Sequence, residues 1–186
     1  MEFDPTPEEA ESEARLLAFF RRIGISAPLH RHAAVFTVEE SRDLKAALPG
    51  AHTKNLFLKD RKGALTLVSC LGERRIRIAD LEKAIGRRRL SFAPPDLLWE
   101  TLGVRPGAVT PFALMNDRER KVSLILDAGM MALEPLNFHP LHNKATLPVS
   151  RAHFHAFLAA TGHSFEEVDF DALEAKAAAR AAENHG

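Results

Sequence analysis

The fold is decided by the stretch Thr53-Lys54-Asn55-Leu56-Phe57-Leu58-Lys59-Asp60, which is typical of a strand covered on both faces. Its apolar side chains alternate between the two faces, so that a layer must pack on each. The same alternation places Lys54 on the face of Leu56 and Leu58. Such a lysine needs a polar partner or a functional role, unless it lies at the strand mouth and its ammonium reaches water. Both alternatives remain open from the strand alone.

Helices and strands are mixed along the rest of the chain. A helix over residues 6–23 begins with the capping pattern Thr6-Pro7-Glu8-Glu9. The turn Arg61-Lys62-Gly63 predicts an antiparallel hairpin between strands 53–60 and 64–71. Further strands are predicted over 28–36, 89–92, 121–127, 133–139 and 146–149. Further helices are predicted over 37–48, 78–86, 94–103, 150–160 and 170–183.

This order predicts an α+β (mixed α/β) fold with a twisted central sheet, mixed and mostly antiparallel, flanked by helices. With no internal repeat or low-complexity linker, residues 1–186 are expected to form a single domain. The lone cysteine, Cys70, excludes a disulfide framework and a cysteine-based zinc site. The acidic N-terminus does not resemble a signal peptide, and no apolar run is long enough to span a bilayer. We therefore expect a cytoplasmic protein without a membrane partner.

The formal net charge is zero, but the basic residues are concentrated in one region. Residues 54–89 carry four acids and eleven lysines and arginines, and the basic residues include the run Arg87-Arg88-Arg89. Such a segment can attract a polyanion, although basic clusters on solvated surfaces are common. Charge alone favours the solvated surface.

Established catalytic and metal motifs are missing from the sequence. His30 and His32 share a strand face and His153 and His155 diverge on a helix, but no HExxH pattern occurs. There is no Gly-x-Ser-x-Gly elbow and no Walker loop, and Cys70 lies in an apolar, core-like run. We therefore expect neither a metal nor a cofactor.

The loop Gly107-Ala108-Val109-Thr110-Pro111 begins with a glycine, whose backbone is conformationally free, and ends with a proline, whose ring fixes φ. Backbone N–H groups in such a loop can point at a carbonyl or phosphate oxygen. An ordinary turn between a helix and a strand would have the same composition, and the loop alone favours that interpretation.

Three segments together are more specific: Lys54-Asn55, Gly107-x-x-x-Pro111 and Asn137-Phe138-His139-Pro140. Their order and spacing resemble the YbaK/prolyl-tRNA-synthetase-associated editing domain family, as does Thr37-Val38-Glu39-Glu40. The resemblance covers roughly residues 25–162. Within the family the chain looks most like the freestanding alanyl-tRNA(Pro) deacylases. The residue after the lysine is Asn55, as in that branch, whereas the cysteine-editing branch looks more like Lys-Thr at these two positions.

The resemblance implies a hydrolase that edits mischarged Ala-tRNA(Pro) in trans. It implies Lys54, Asn55, Gly107 and His139 as catalytic residues, with His142 as the neighbouring alternative to His139. The candidate substrate contacts are Val35, Phe36, Val38, Ala108, Val109, Thr110, Pro111 and Phe138. The candidate tRNA contacts are Arg74, Arg75, Arg77, Arg87, Arg88, Arg89, Lys176 and Arg180. Further expected partners are prolyl-tRNA synthetase or an elongation factor, and DNA is not expected.

The implied reaction does not require a catalytic triad, and the sequence shows none. The ester of an aminoacyl-tRNA is already activated, so its hydrolysis needs positioning and charge stabilisation more than a strong nucleophile. A small pocket would admit alanine and exclude proline by overpacking. Two alternatives remain: a deacylase for Cys-tRNA(Pro) or another small amino acid on tRNA, and a non-catalytic tRNA- or synthetase-binding module.

Overall fold

A computed structural model describes residues 4–33 and 48–183, which build one mixed sheet with helices against it. The strands in these residues are β1 (His30–Arg31), β2 (Ala51–Lys59), β3 (Leu65–Leu71), β4 (Ser91–Phe92), β5 (Val122–Asp127), β6 (Leu136–Phe138), β7 (Ala145–Val149) and β8 (Phe165–Val168). The helices are α1 (Pro7–Arg22), α2 (Ile78–Ala84), α3 (Pro95–Leu102), α4 (Ala128–Met131), α5 (Arg151–Thr161) and α6 (Phe170–Glu183), with a 3₁₀ helix over Pro111–Asn116.

Strand β2 lies in the middle of the sheet, whose order is β1-β7-β6-β2-β3-β5-β8. It pairs antiparallel with β3, from Thr53 opposite Leu71 to Lys59 opposite Leu65. It also pairs in parallel with β6 and, near its end, antiparallel with β4. The pairs β3–β5 and β5–β8 are parallel, whereas β6–β7 and β1–β7 are antiparallel. This mixed sheet with flanking helices confirms the predicted α+β class.

The two ends of β2 are set by local interactions. At its start, Ala51 N–H donates to the Pro135 carbonyl at 2.8 Å. Gly50 permits this approach, because a β-carbon there would lie 2.1 Å from the same carbonyl oxygen. At its end, the carboxylate of Asp60 accepts the N–H groups of Lys62 and Ala64 and closes the predicted hairpin.

Both faces of β2 are covered, as the stretch 53–60 predicts. Phe57 belongs to the larger core on one face, which includes Leu16, Phe112 and Phe154. Leu58 belongs to a smaller core on the other face, with residues from α2 and α6 such as Leu81 and Phe170. The strand that opens with Lys54 is therefore held between two apolar layers.

Several predicted elements are shorter in the structure. Within the described residues the strand predicted over 28–36 is reduced to His30–Arg31, and residues 34–36 and the helix predicted over 37–48 lie outside them, apart from residue 48. The strand predicted over 89–92 spans only β4. The strand predicted over 133–139 begins at Leu136, after a proline that has no N–H group to donate to a strand partner.

Three short elements were not predicted: the 3₁₀ helix, α4 and β8. Strand β8 is an edge strand in which Glu166 and Glu167 are exposed, so it lacks the alternation that marks half-buried strands. Among residues 4–33 and 48–183, no helix has both the length and the apolar character that crossing a bilayer requires.

We predict that Phe112→Ala lowers the free energy of unfolding by about 3–5 kcal/mol. Phe112 is fully buried and its ring lies 5.0 Å from Phe20, 5.4 Å from Phe138 and 5.2 Å from Phe157, measured between centroids. Urea denaturation measures the loss. The control is Phe92→Ala, which truncates a ring that is 65% exposed. Equal losses in the two variants would contradict this description of the core.

Candidate functional site

A cavity of about 200 Å³ lies at the start of β2, where the three sequence segments meet. Its lining residues come from β2, from the loop after α3 and from the residue that follows β6. They are Thr53, Lys54, Asn55, Gly107, Val109 and His139. Residues more than 80 positions apart in the sequence are thus brought together, because β2 and β6 are paired neighbours in the sheet.

The side chain of Lys54 has a polar partner inside the protein. The residue is half-buried, and Nζ donates a hydrogen bond to the backbone carbonyl of Arg74. Of the two alternatives for this lysine, the structure therefore supports a partnered ammonium over one that only reaches out to water. The bond leaves two of the three ammonium protons for other acceptors.

Asn55 holds the glycine loop against the sheet. Its Nδ2 donates to the carbonyl of Val109 at 2.9 Å, and its Oδ1 accepts from Ser69 Oγ at 2.6 Å. Because both ends of the amide are engaged, the side chain is fixed in orientation. The arrangement makes Asn55 a residue that shapes the cavity wall.

Gly107 lies at the third position of a tight turn. Ala108 N–H donates to the carbonyl of Arg105 at 3.0 Å, and Pro106 and Gly107 are the central residues. Gly107 has φ +88°, which the third position of a type II turn requires and which residues with a β-carbon rarely adopt. The glycine therefore sets the path by which the loop reaches the cavity.

The other predicted residues of this loop lie behind the cavity. Ala108, Thr110 and Pro111 are buried and are not among its lining residues. Thr110 Oγ1 accepts the N–H of Phe112 at 3.4 Å and so caps the 3₁₀ helix. Their predicted role as substrate contacts is therefore corrected: they anchor the loop, and Val109 lines the cavity.

His139 contributes a neutral imidazole to the cavity. Its Nδ1 donates to the carbonyl of Ala145 at 3.2 Å, which leaves the lone pair on Nε2. Burial lowers the pKa of His139 to about 4, and the neighbouring His32 and His142 lower it further, against the opposing effect of the bond to Ala145. At neutral pH this side chain therefore carries no charge and can accept a hydrogen bond through Nε2.

The alternative residue His142 has a structural role. It is fully buried, and its Nε2 donates to the carboxylate of Glu13 at 2.8 Å while its Nδ1 accepts the N–H of Lys144 at 3.1 Å. Glu13 also accepts two hydrogen bonds from Arg31, at 2.7 and 3.1 Å. This cluster ties α1 to β1 and to the segment before β7, so His139 and not His142 lines the cavity.

The remaining predicted pocket residues do not form its described wall. Phe138 is buried in the larger core, with its ring 5.0 Å from that of Phe154, so its predicted substrate contact is corrected. Because β6 alternates its side chains, Phe138 points away from the face that its neighbour His139 serves. Val35, Phe36 and Val38 lie outside the described residues.

Cys70 does not act as a nucleophile in this arrangement. The residue is fully buried, and burial raises the pKa of its thiol to about 12. Within residues 4–33 and 48–183, no three histidine, cysteine or acidic side chains are grouped as metal ligands.

Arg74 is buried and does not form part of an exposed basic surface. Its Nε lies 2.9 Å from Asp127 Oδ2, and its Nη1 donates to Asp171 and lies 3.6 Å from Glu174. The hydrogen bonds that the guanidinium donates to Asp171 and Asp127 raise its pKa above the ordinary value. The prediction that Arg74 contacts tRNA is therefore corrected, since its charge is already matched by acids of this chain.

The other predicted basic contacts differ in how free their charges are. Arg87 is half-buried, donates to Ser123 and pairs with Asp60, while Arg180 pairs with Asp80 at 3.0 Å. The side chain of Arg77 is exposed and lies 3.6 Å from Asp80. The remaining four predicted contacts are exposed: Arg75, Arg88, Arg89 and Lys176.

Two features next to the cavity were not predicted. Thr53 lines it and donates through Oγ1 to the carbonyl of Asn137 at 2.8 Å. The guanidinium of Arg105 stacks 3.7 Å above the ring of Trp99, at the base of the Gly107 turn, and Trp99 is 37% exposed. The sequence signal for the second feature was the single tryptophan of the chain, on the polar side of a short helix.

Comparisons with known proteins identify the family of this chain. The family model of the aminoacyl-tRNA editing domain matches residues 32–157. Prolyl-tRNA synthetase associated domain-containing protein 1 of Xenopus laevis is 41% identical over 84% of this chain and 95% of its own length. The prolyl-tRNA editing protein ProX of Acetoanaerobium sticklandii is 29% identical over 87% of this chain and 99% of its own length.

A solved structure shares the fold. A crystal structure described as a candidate trans-editing enzyme for prolyl-tRNA synthetase superimposes with a TM-score of 0.65, covering 89% of this chain and 99% of its own, at 18% identity. The family match and the Xenopus laevis relative establish the family. The chain therefore belongs to the aminoacyl-tRNA editing domain family.

Proposed function

We propose that this protein is a trans-editing deacylase that hydrolyses the ester of mischarged Ala-tRNA(Pro). The observation that carries the proposal is the meeting of Lys54, the Gly107 turn and His139 around one small cavity. Membership of the editing family supports hydrolysis of an aminoacyl ester, and the name of the relative ProX supports a prolyl-tRNA substrate.

The reaction exchanges an ester for an acid and an alcohol. A water molecule attacks the acyl carbon, the bond from that carbon to the ribose oxygen breaks, and the ribose oxygen regains a proton. The products are the free amino acid and a tRNA with its terminal hydroxyl restored. Bulk water or the neighbouring ribose hydroxyl takes the proton of the attacking water, because an activated ester needs no strong base.

Each lining group has a role in this reaction. The ammonium of Lys54 binds the phosphate or sugar of the terminal adenosine as a point charge. The backbone N–H groups of Gly107 and Val109 are the candidate donors to the oxygen that becomes negative in the transition state. His139, with its pKa near 4, is too weak a base to deprotonate water at neutral pH, so it orients the water through Nε2.

The size of the cavity supports a small amino acid. At about 200 Å³ it is smaller than the roughly 300–1,000 Å³ of typical small-molecule sites. A wall that fits alanine closely would exclude the ring of proline, because overpacking costs about 1–3 kcal/mol or more. An enzyme with this pocket removes alanine and spares the correct amino acid.

The tRNA end approaches over exposed cations and one aromatic ring. Arg75, Arg88 and Arg89 are free to meet phosphates. The Trp99–Arg105 stack lies beside the Gly107 turn and offers a flat surface on which an unpaired base of the tRNA end can stack.

We predict that Lys54→Ala lowers kcat for Ala-tRNA(Pro) deacylation by about 10²-fold, because the terminal adenosine is then no longer held in position for reaction. Release of radiolabelled alanine measures the rate, and circular dichroism checks folding. The matched control is Lys59→Ala, a lysine of the same strand away from the cavity, which should keep full activity. Comparable rates in the two variants would remove Lys54 from the site.

We predict that alanine is released from tRNA(Pro) at least tenfold faster than proline, because one steric clash of about 1.4 kcal/mol suffices for that ratio. The measurement is deacylation of Ala-tRNA(Pro), Cys-tRNA(Pro) and Pro-tRNA(Pro) side by side. Faster release of cysteine would assign the cysteine-editing alternative. Hydrolysis of none of the three, in a protein that still binds tRNA, would support the non-catalytic module.

We predict that His139 makes the fold less stable in acid. Its folded pKa of about 4 lies below the ordinary value of 6.5, so the unfolded chain binds the proton more readily. The free energy of unfolding should therefore fall as the pH decreases from about 6.5 to about 4. His139→Gln should flatten that part of the profile in urea titrations, whereas the exposed His30→Gln should not. Parallel profiles for the wild type and His139→Gln would contradict the lowered pKa and neutral state of this imidazole.

A further inference from the structure

Arg74 connects the C-terminal helix α6 to the side chain of Lys54. Its guanidinium is bound by Asp127 at the end of β5 and by Asp171 and Glu174 of α6. Its backbone carbonyl accepts the hydrogen bond from Lys54 Nζ. One residue therefore touches both the helix and the lysine, through different parts of the same residue.

The guanidinium is held in a fitted site. Arg74 is 8% exposed and Asp127 is fully buried. The carboxylate of Asp127 also accepts the N–H of Leu71 at 3.2 Å and that of Gly129 at 2.9 Å, so the acid itself cannot turn freely. A β-carbon at Gly129 would lie 2.4 Å from Nη2 of Arg74, so this glycine leaves the room that the guanidinium occupies.

This site fixes the backbone as well as the side chain. Arg74 follows β3 by three residues, and its N–H donates to the carbonyl of Leu71 at 3.1 Å in a tight turn. The peptide group that receives Lys54 also contains the N–H of Arg75, which donates to Glu174 of α6 at 3.1 Å. With this N–H engaged and the Arg74 side chain bound on three sides, the peptide group has little freedom to rotate. The position of the lysine ammonium thus depends on contacts made by α6.

We propose that Arg74 is a positioning residue: α6 and Asp127 hold its guanidinium, and its carbonyl orients the ammonium of Lys54 for the substrate. The inference rests on the proposed function of Lys54. It assigns α6 a role in the active site that does not require the helix to touch tRNA. It also accounts for the burial of Arg74 beside the exposed Arg75 in the same basic run.

We predict that Arg74→Gln lowers kcat for Ala-tRNA(Pro) by about 10–100-fold with KM within about twofold, because displacing the ammonium that positions the substrate by about an ångström has that effect on rate. The neighbouring Arg75→Gln provides the contrast. Arg75 is exposed and a candidate phosphate contact, so its loss should raise KM and leave kcat unchanged.

Two milder variants guard against misfolding, because Arg74→Gln leaves Asp127 buried without its cation. Asp171→Asn weakens the hold from α6 at a side chain that is 73% exposed, and Gly129→Ala pushes on the guanidinium without removing a charge. Both should lower kcat several-fold in folded protein.

A spectroscopic measurement reads the position of the lysine without activity. In ¹H–¹⁵N spectra of the lysine ammonium groups, Lys54 should give a slowly exchanging signal, identified by its loss in Lys54→Ala. In Arg74→Gln, Asp171→Asn and Gly129→Ala this signal should shift or broaden, while the signal of Lys59 stays in place. A shift in all three variants, with the kcat losses above, supports the inference.

The failure of this inference and that of the proposed function are distinguishable. Full activity in Lys54→Ala would overturn the proposed function. A different set of results would overturn the positioning role alone. In that case Lys54→Ala is inactive, while the Arg74 and Asp171 variants are folded, keep the wild-type kcat and show an unchanged Lys54 signal. An unchanged signal in these variants would overturn it whatever their activity.

Discussion

Burial of both faces of β2 is the constraint on which the rest of the molecule depends. One face packs on the phenylalanine-rich core and the other on α2 and α6, so the polar residues of this strand lie towards its two ends, and those inside the protein need partners. Lys54 and Asn55 both have such partners, on opposite faces of the strand. The lysine bonds to the turn after β3, and the asparagine bonds to the glycine loop. The cavity forms where these two turns and the end of β6 converge.

The chemistry that such a cavity supports is mild. It contains a cation, a turn rich in backbone donors and an imidazole that stays neutral, and the one thiol of the chain is buried with a raised pKa. These groups suit a substrate whose bond is already activated and needs to be held and polarised. Three acids of the chain serve a different purpose. Glu13 binds Arg31 and His142, while Asp127 and Asp171 bind the buried Arg74, and these contacts orient the segments around the cavity.

Sequence reasoning succeeded where one pattern decides one structure. The alternation in residues 53–60 predicted that β2 lies between two layers. The spacing of Gly107 and Pro111 predicted a loop, and in the structure Gly107 adopts the positive φ that its turn requires. It failed where a side chain had two plausible environments. Arg74 and Arg75 are neighbouring residues of the same type, so the sequence does not show which one is buried. Arg74 is buried because acids from β5 and α6 bind its guanidinium, whereas Arg75 is exposed. Phe138 and His139 are adjacent, and strand alternation sends them to the core and to the cavity.

The most direct test of the account is to ask which cavity an uncleavable substrate analogue occupies. Alanine joined by an amide to 3′-amino-adenosine can be titrated into ¹⁵N-labelled protein and followed by amide shifts. The account predicts saturable changes centred on Asn55, Gly107 and Val109, and their loss in Lys54→Ala. A second cavity of about 520 Å³ lies between α2 and α6 and is lined by Ile76, Leu81 and Leu173 among others. Changes centred there, with Gly107 and Val109 unmoved, would contradict the assignment of the site.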